Sequence, residues 1–315
     1  MTYPCEKTRA PGQVPFRAAF GLVLLACALT AACGNPAMKE VLRPLYEDEE
    51  EAAGPAYVIT FSFGEGGGTA PTPLPAFAGT AIVLPGIGAM TAPSGRPVLT
   101  GWHNGAALYR PGAAYTVFYP VTLTARWDSI DNVLTAAIAA AAGAGKDGSA
   151  ANPVPLALTL DLGTMPFGAW DEILHKIADK GKYVALDLTA CGMTGGLFDT
   201  RGLLVGRPLI TALTLPDAAT GIEDGMAYID SAFLDFTALT EVRGANIDTV
   251  GREAFSYCTA LTTADFPAAT SIGVGAFYSC TGLTSVNLPA ATSIDYSAFA
   301  NTGGAALTVT LGAIP

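Results

Sequence analysis

The sequence feature that most constrains the fold is a repeat in the last third of the 315-residue chain. Two consecutive units read AFSYCTALTTADFPAATSIGVG and AFYSCTGLTSVNLPAATSIDYS, and a degenerate copy, ITALTLPDAATGI, begins at Ile210. A period in the low twenties is typical of leucine-rich repeats. One such unit cannot bury its apolar side chains alone, so stacked units must share a core. The repeat is marked by an Ala-Phe pair with a constant step of 22 residues, at Ala232-Phe233, Ala254-Phe255, Ala276-Phe277 and Ala298-Phe299.

The segment LTSVNLP predicts which side chains of a unit face the core. Side chains alternate between the two faces of a strand, so we expect Leu283, Val286 and Leu288 to point inwards, with Phe277 and Ile294 filling the rest of the coil. The outward positions then form two columns that run across the coils. The first is Ala212, Glu241, Thr263, Ser285 and Thr308, and the second is Thr214, Arg243, Asp265, Asn287 and Thr310. The candidate binding residues are the six central members, Glu241, Arg243, Thr263, Asp265, Ser285 and Asn287.

Two cysteines occupy the same position of consecutive units, Cys258 and Cys280. Stacked coils bring such positions to a Cα separation of about 5 Å, which lies within disulfide range. The column nevertheless faces the core, where a free cysteine behaves as a small hydrophobe. We therefore predict free, buried thiols, with a disulfide as the alternative.

The units resemble the BspA-like (treponemal) leucine-rich-repeat family, whose unit carries AF, then C or N, then LTSVxLP. The resemblance covers residues 205–315 and implies a solenoid that binds other macromolecules in an adhesin-like manner. By analogy, the expected partner is a protein or glycan of a host or of a neighbouring cell.

The N-terminus predicts export. Basic residues precede the apolar run AAFGLVLLACALTAA, which is shorter than the roughly 20 residues that span a bilayer. The run ends in small residues before Cys33, and this resembles a bacterial lipobox, although Thr30 stands where the pattern usually has Leu. The resemblance implies a signal segment over 1–32 and lipidation at Cys33, with Cys27 as a second candidate. An acidic tether over 33–56, with five consecutive acidic residues from Glu47 to Glu51, is expected to hold the folded part away from a membrane.

Strict alternation of apolar residues in YVITFSF and YTVFYPVTLTARW predicts a small β module over 57–127. The module resembles the Listeria–Bacteroides repeat, also called the internalin-type B repeat, and this resemblance implies a spacer or adhesive role. The matching residues are Gly66 to Gly68, Pro85, Gly95, Gly101-Trp102, Tyr115, Leu123, Ala125 and Trp127.

Residues 128–204 are predicted to form a helical bridge and a cap for the solenoid. A helix should start after Ser129 and reach about Ala142. The strand PLALTLDL, the helix AWDEILHKIADK stopped by Gly181, and the strand KYVALDLTAC follow in series. The expected fold is thus mainly β with some α: a small β module followed by a leucine-rich-repeat solenoid with a βαβ-like N-terminal cap.

The net charge and the motifs exclude several classes of function. Loss of the first 32 residues removes Lys7, Arg9, Arg17 and Glu6, so the net charge falls from −11 to about −13. Such a surface repels nucleic acid. The sequence lacks a nucleophile elbow, a phosphate-binding loop and a zinc motif, and this predicts a non-enzyme without metal or cofactor. The leading hypothesis is a membrane-anchored adhesin-like lipoprotein at the cell surface. The alternatives are a structural or carbohydrate-binding lipoprotein on the periplasmic side of the envelope and a secreted glycan hydrolase.

Overall fold

The computed structural model describes residues 56–165, 168–201, 206–225, 231–234, 236–302 and 307–312. The predicted signal segment, Cys33 and the tether up to residue 55 lie outside these ranges. The described chain is mainly β with two α-helices, and most of its sheet is parallel. The predicted fold class is therefore confirmed.

The first folded part is a β module that starts one residue earlier than predicted, at Ala56. Its main sheet has the order β3-β1-β9-β6-β7, in which β1 and β9 are parallel and the other pairs are antiparallel. Alternate residues of these strands fill the core, where the indole of Trp102 donates to the carbonyl of Pro85 at 2.8 Å. The strands are β1 Ala56–Ser62, β2 Gly67–Gly68, β3 Leu74–Phe77, β4 Ala81–Val83, β5 Met90–Thr91, β6 Val98–His103, β7 Leu108–Tyr109, β8 Ala114–Thr116 and β9 Val121–Asp128.

The next part holds both helices. Helix α1 begins after Ser129, whose Oγ accepts the N–H of Asn132 at 3.1 Å, so the predicted N-cap is confirmed. Helix α2 is capped at its C-terminus by Gly181, which adopts the left-handed conformation that favours glycine (φ +59°). The elements are α1 Ile130–Gly143, β10 Val154–Ala157, β11 Asp161–Thr164, α2 Ala169–Lys180, β12 Val184–Asp187, β13 Gly192–Thr194, β14 Leu197–Phe198 and a 3-10 turn Arg207–Leu209.

The single strand predicted for residues 155–162 is wrong, because the chain forms two strands there. Strand β10 pairs with β12, whereas β11 pairs with β13 in a separate sheet. The residues between them, 158–160, are buried at a corner of the coil. The alternation of apolar residues continues without interruption through this corner. The sequence pattern therefore does not show where the first strand ends.

The repeat forms a solenoid in which each coil adds one strand to each of two parallel sheets. The larger sheet has the order β10-β12-β15-β17-β19-β21-β23, and the smaller has β14-β16-β18-β20-β22. Because β10 and β12 belong to the larger sheet, the cap is continuous with the repeat. The strands are β15 Ile210–Thr214, β16 Gly221–Ile222, β17 Glu241–Arg243, β18 Thr249–Val250, β19 Thr263–Asp265, β20 Ser271–Ile272, β21 Ser285–Leu288, β22 Ser293–Ile294 and β23 Thr308–Leu311.

The repeated phenylalanines form a continuous stack along the core. Ring centroids of Phe233 and Phe255 lie 4.3 Å apart, those of Phe255 and Phe277 5.2 Å, and those of Phe277 and Phe299 5.3 Å. The last two pairs are parallel to within 3°. These separations are close to the spacing of about 4.8 Å between hydrogen-bonded strands, so each phenylalanine ring packs on the ring of the next coil.

Four of the five predicted core residues of the coil that starts at Ala276 are fully buried: Phe277, Leu283, Val286 and Leu288. The prediction for Ile294 is wrong, because its side chain is 40% exposed. Ile294 lies on β22, the last strand of the smaller sheet in the described chain, and therefore has no covering strand on one side. The equivalent Ile272, one coil earlier, lies between two strands and is buried.

Cys258 and Cys280 are free and buried, as predicted. Burial raises the pKa of the Cys280 thiol from 9.0 to about 12 and raises that of Cys258 well above its usual value. Each thiol donates to a carbonyl of the preceding coil, Cys258 Sγ to Phe233 O at 3.5 Å and Cys280 Sγ to Phe255 O at 3.0 Å. The two cysteines therefore act as core residues that also hold adjacent coils together.

Candidate binding face of the repeat

The larger sheet places the predicted outward columns in register. Glu241 pairs with Thr263, and Thr263 pairs with Ser285 in the first column. Arg243 pairs with Asp265, and Asp265 with Asn287, in the second. The residues between the columns, Val242, Ala264 and Val286, are buried. The predicted register is confirmed, and the six candidate residues share one face, named here the repeat face.

Side chains of the repeat face contact one another. Arg243 forms an ion pair with Glu241, two residues away on the same strand. The Asn287 amide donates to Asp265 Oδ1 across adjacent coils at 2.7 Å. Thr263 is half-buried and Ser285 exposed. The charged groups are thus held in place but still reachable by a partner.

A row of threonines beside the repeat face links the coils. The hydroxyl of Thr240 donates to Thr211 O at 2.9 Å, that of Thr262 to Thr240 O at 2.8 Å, and that of Thr284 to Thr262 O at 3.1 Å. Since each bond joins one coil to the next, the row fixes the spacing of the columns. A partner that binds here meets a surface that is already ordered.

The repeat face combines hydrogen-bond donors with hydrogen-bond acceptors. Two carboxylates, one guanidinium, one amide and two hydroxyls offer both donors and acceptors. Nothing in this arrangement pairs an activated nucleophile with a base. Across the described ranges, no group of three or more His, Cys, Asp or Glu side chains is placed to hold a metal ion.

Sequence reasoning missed a polar cleft of about 550 Å³ on the β module. It is lined by residues from four separate stretches, including Glu65, Arg96, His103, Thr124 and Arg126. The pairing of β6 with β9 brings His103 opposite Thr124. The available signal was the alternation of Thr122, Thr124 and Arg126 on the outer face of one predicted strand.

The stacked coils form a parallel-sheet solenoid that, in the described residues, runs from β10 to β23. Residues 210–311 match the family model described as BspA type leucine rich repeat region, in six copies. They are therefore a BspA-type leucine-rich-repeat region, and the predicted resemblance of this part is confirmed. No curated protein and no solved structure matched the chain. The resemblance of residues 57–127 to the Listeria–Bacteroides repeat stays a prediction.

Proposed function

We propose that this protein is a non-catalytic, lipid-anchored surface protein that binds macromolecules through the repeat face. The observation that carries the proposal is the in-register, preordered array of Glu241, Arg243, Asp265 and Asn287 on adjacent parallel strands. The BspA-type repeat supports the broader statement of a surface-exposed, protein-binding repeat protein. A host or neighbouring-cell protein or glycan is the partner that fits a near-neutral polar face.

Anchoring rests on the sequence alone, through the apolar run before Cys33. In the described part of the chain, no helix combines the length and apolarity needed to cross a membrane. A lipidated Cys33 would supply the attachment, and the acidic tether would separate the solenoid from the bilayer. Protease treatment of intact cells distinguishes a surface location from the periplasmic alternative, because only an outward-facing solenoid is digested.

The test of the repeat face is a variant in which Glu241, Arg243, Asp265 and Asn287 are all replaced by alanine. Binding of the full chain to an array of matrix proteins and glycans identifies a ligand, and the variant is then measured against that ligand. We expect a loss of at least about tenfold in affinity, which corresponds to one or two lost polar contacts.

The matched control replaces Thr249, Ser293 and Asp295 with alanine. These three residues are exposed on the side of the smaller sheet. Each variant removes one net negative charge, so a long-range electrostatic effect changes the affinity of both variants equally. Circular dichroism checks that each is folded. If the quadruple variant binds as tightly as the wild type, the repeat face is not the binding site.

A further inference from the structure

The β module differs in charge from the rest of the chain. Residues 56–128 contain Arg96, Arg110 and Arg126 but only two carboxylates, Glu65 and Asp128, whereas the whole chain carries a net charge of −11. Two of the three arginines line the cleft on this module. A cleft lined by cations in an acidic protein attracts anions locally.

The floor of the cleft is the outer face of β9, where Thr122, Thr124 and Arg126 alternate with core residues. On the neighbouring strand β6, the residue opposite Arg126 is Gly101. A Cβ at Gly101 would lie 2.5 Å from Tyr109 O, so this position is restricted to glycine. The place where a Gly101 side chain would lie is therefore occupied by the carbonyl of Tyr109 and the side chain of Leu108.

Hydrogen-bond donors line the cleft. Arg126 is exposed and forms no ion pair within the described chain. Arg96 contributes a second guanidinium, which is shared with Glu65. The N–H of Gly105 donates to His103 Nδ1 at 3.0 Å, so neutral His103 carries its proton on Nε2, where it can donate.

Threonine hydroxyls also line the cleft. The hydroxyls of Thr60 and Thr122 are 2.7 Å apart, and Thr124 lies next to them on the floor. At about 550 Å³ the cleft is larger than one carboxylate requires and falls in the usual range for ligand sites. The Arg126 guanidinium has no ion pair within the described residues and shares the cleft with hydroxyls. This arrangement suits a ligand with an isolated anionic group beside neutral hydroxyls. The closely spaced phosphates of a nucleic acid would instead be repelled by Glu65 and by the net negative charge of the chain.

We propose that the cleft formed by Arg96, His103, Thr122, Thr124 and Arg126 binds the carboxylate or sulfate of an acidic polysaccharide. Arg126 binds the anionic group, since guanidinium donors match carboxylate and sulfate oxygens. The threonine hydroxyls and His103 Nε2 bind the sugar hydroxyls around it. This site is distinct from the repeat face and does not depend on it.

The test measures binding of the full chain by calorimetry to two probes, oligogalacturonate for carboxylate and the sparsely sulfated κ-carrageenan oligosaccharide for sulfate. Dextran is the neutral sugar control, and poly-L-glutamate is the peptide polyanion. We expect at least one acidic sugar to bind, and dextran not to. Arg126→Gln should weaken that binding by about tenfold. Arg110→Gln, which removes an exposed arginine outside the cleft, should change it by less than about twofold.

The quadruple alanine variant of the repeat face should bind the acidic sugar normally, and this separates the two proposals. The inference is overturned if neither acidic sugar binds, if Arg110→Gln weakens binding as much as Arg126→Gln, or if poly-L-glutamate binds more tightly than both sugars. Arg126 is exposed, so its variant is expected to fold, and a thermal melt checks this.

Discussion

The stacking of coils makes a direct prediction for Leu261→Ala. Leu261 lies in a column with Leu239 and Leu283, the equivalent residues of the coils before and after it, and all three are fully buried. Because both neighbours are held by their own coils, little collapse around the deleted atoms is possible. Leucine-to-alanine changes at such sites cost about 2–5 kcal/mol, and we expect a value in the upper half of that range.

Urea denaturation followed by circular dichroism measures this effect. The free energy of unfolding should fall while the dependence on urea concentration stays unchanged. The control is Ser285→Ala, because Ser285 is exposed on the repeat face. It should change the free energy of unfolding by no more than about 0.5 kcal/mol. If the two variants have equal effects, the inward and outward positions are assigned incorrectly.

Three further predictions concern the anchor, the thiols and the β module. Labelled palmitate should enter the wild type but not Cys33→Ser, and undiminished labelling would favour Cys27 or exclude lipidation. Iodoacetamide at pH 8 should leave Cys258 and Cys280 unmodified in the native protein and modify both in urea, as read by peptide mapping. Because folding raises the Cys280 pKa from 9.0 to about 12, the free energy of unfolding should also decrease as pH rises through that interval. A fragment of residues 56–128 should unfold cooperatively, since the module has its own core. A featureless melt would mean that it depends on contacts with the cap, such as the 2.7 Å hydrogen bond from Leu99 N to Thr159 O.

The repeat could be predicted closely because its period determines its geometry. A fixed step of 22 residues forces equivalent side chains into columns. The repeat period alone therefore predicts the register of Glu241, Thr263 and Ser285. The prediction that Ile294 is buried is wrong for the same reason, because the repeat period treats every coil as having a neighbour on both sides. Its exposure reflects its place in the stack rather than its place in the unit.

The cleft on the β module could not be found in this way. His103 and Arg126 are far apart in sequence, and only the antiparallel pairing of β6 with β9 brings them to one surface. This pairing contains an irregularity between Leu99 and Gly101. An irregularity of that kind shifts which residues share a face. Alternation alone therefore predicts the strands but not the group of side chains above them.

The central claim is that consecutive coils stack in parallel with the register described for the repeat face. Thr263→Cys combined with Ser285→Cys joins register partners, whose Cα atoms are about 4.8 Å apart in such a sheet and therefore within disulfide range. Glu241→Cys combined with Ser285→Cys places the two thiols two coils apart, at about 9.6 Å. Mild oxidation followed by peptide mapping should give a disulfide in the first variant and none in the second. A disulfide in the second variant but not in the first would contradict the solenoid register.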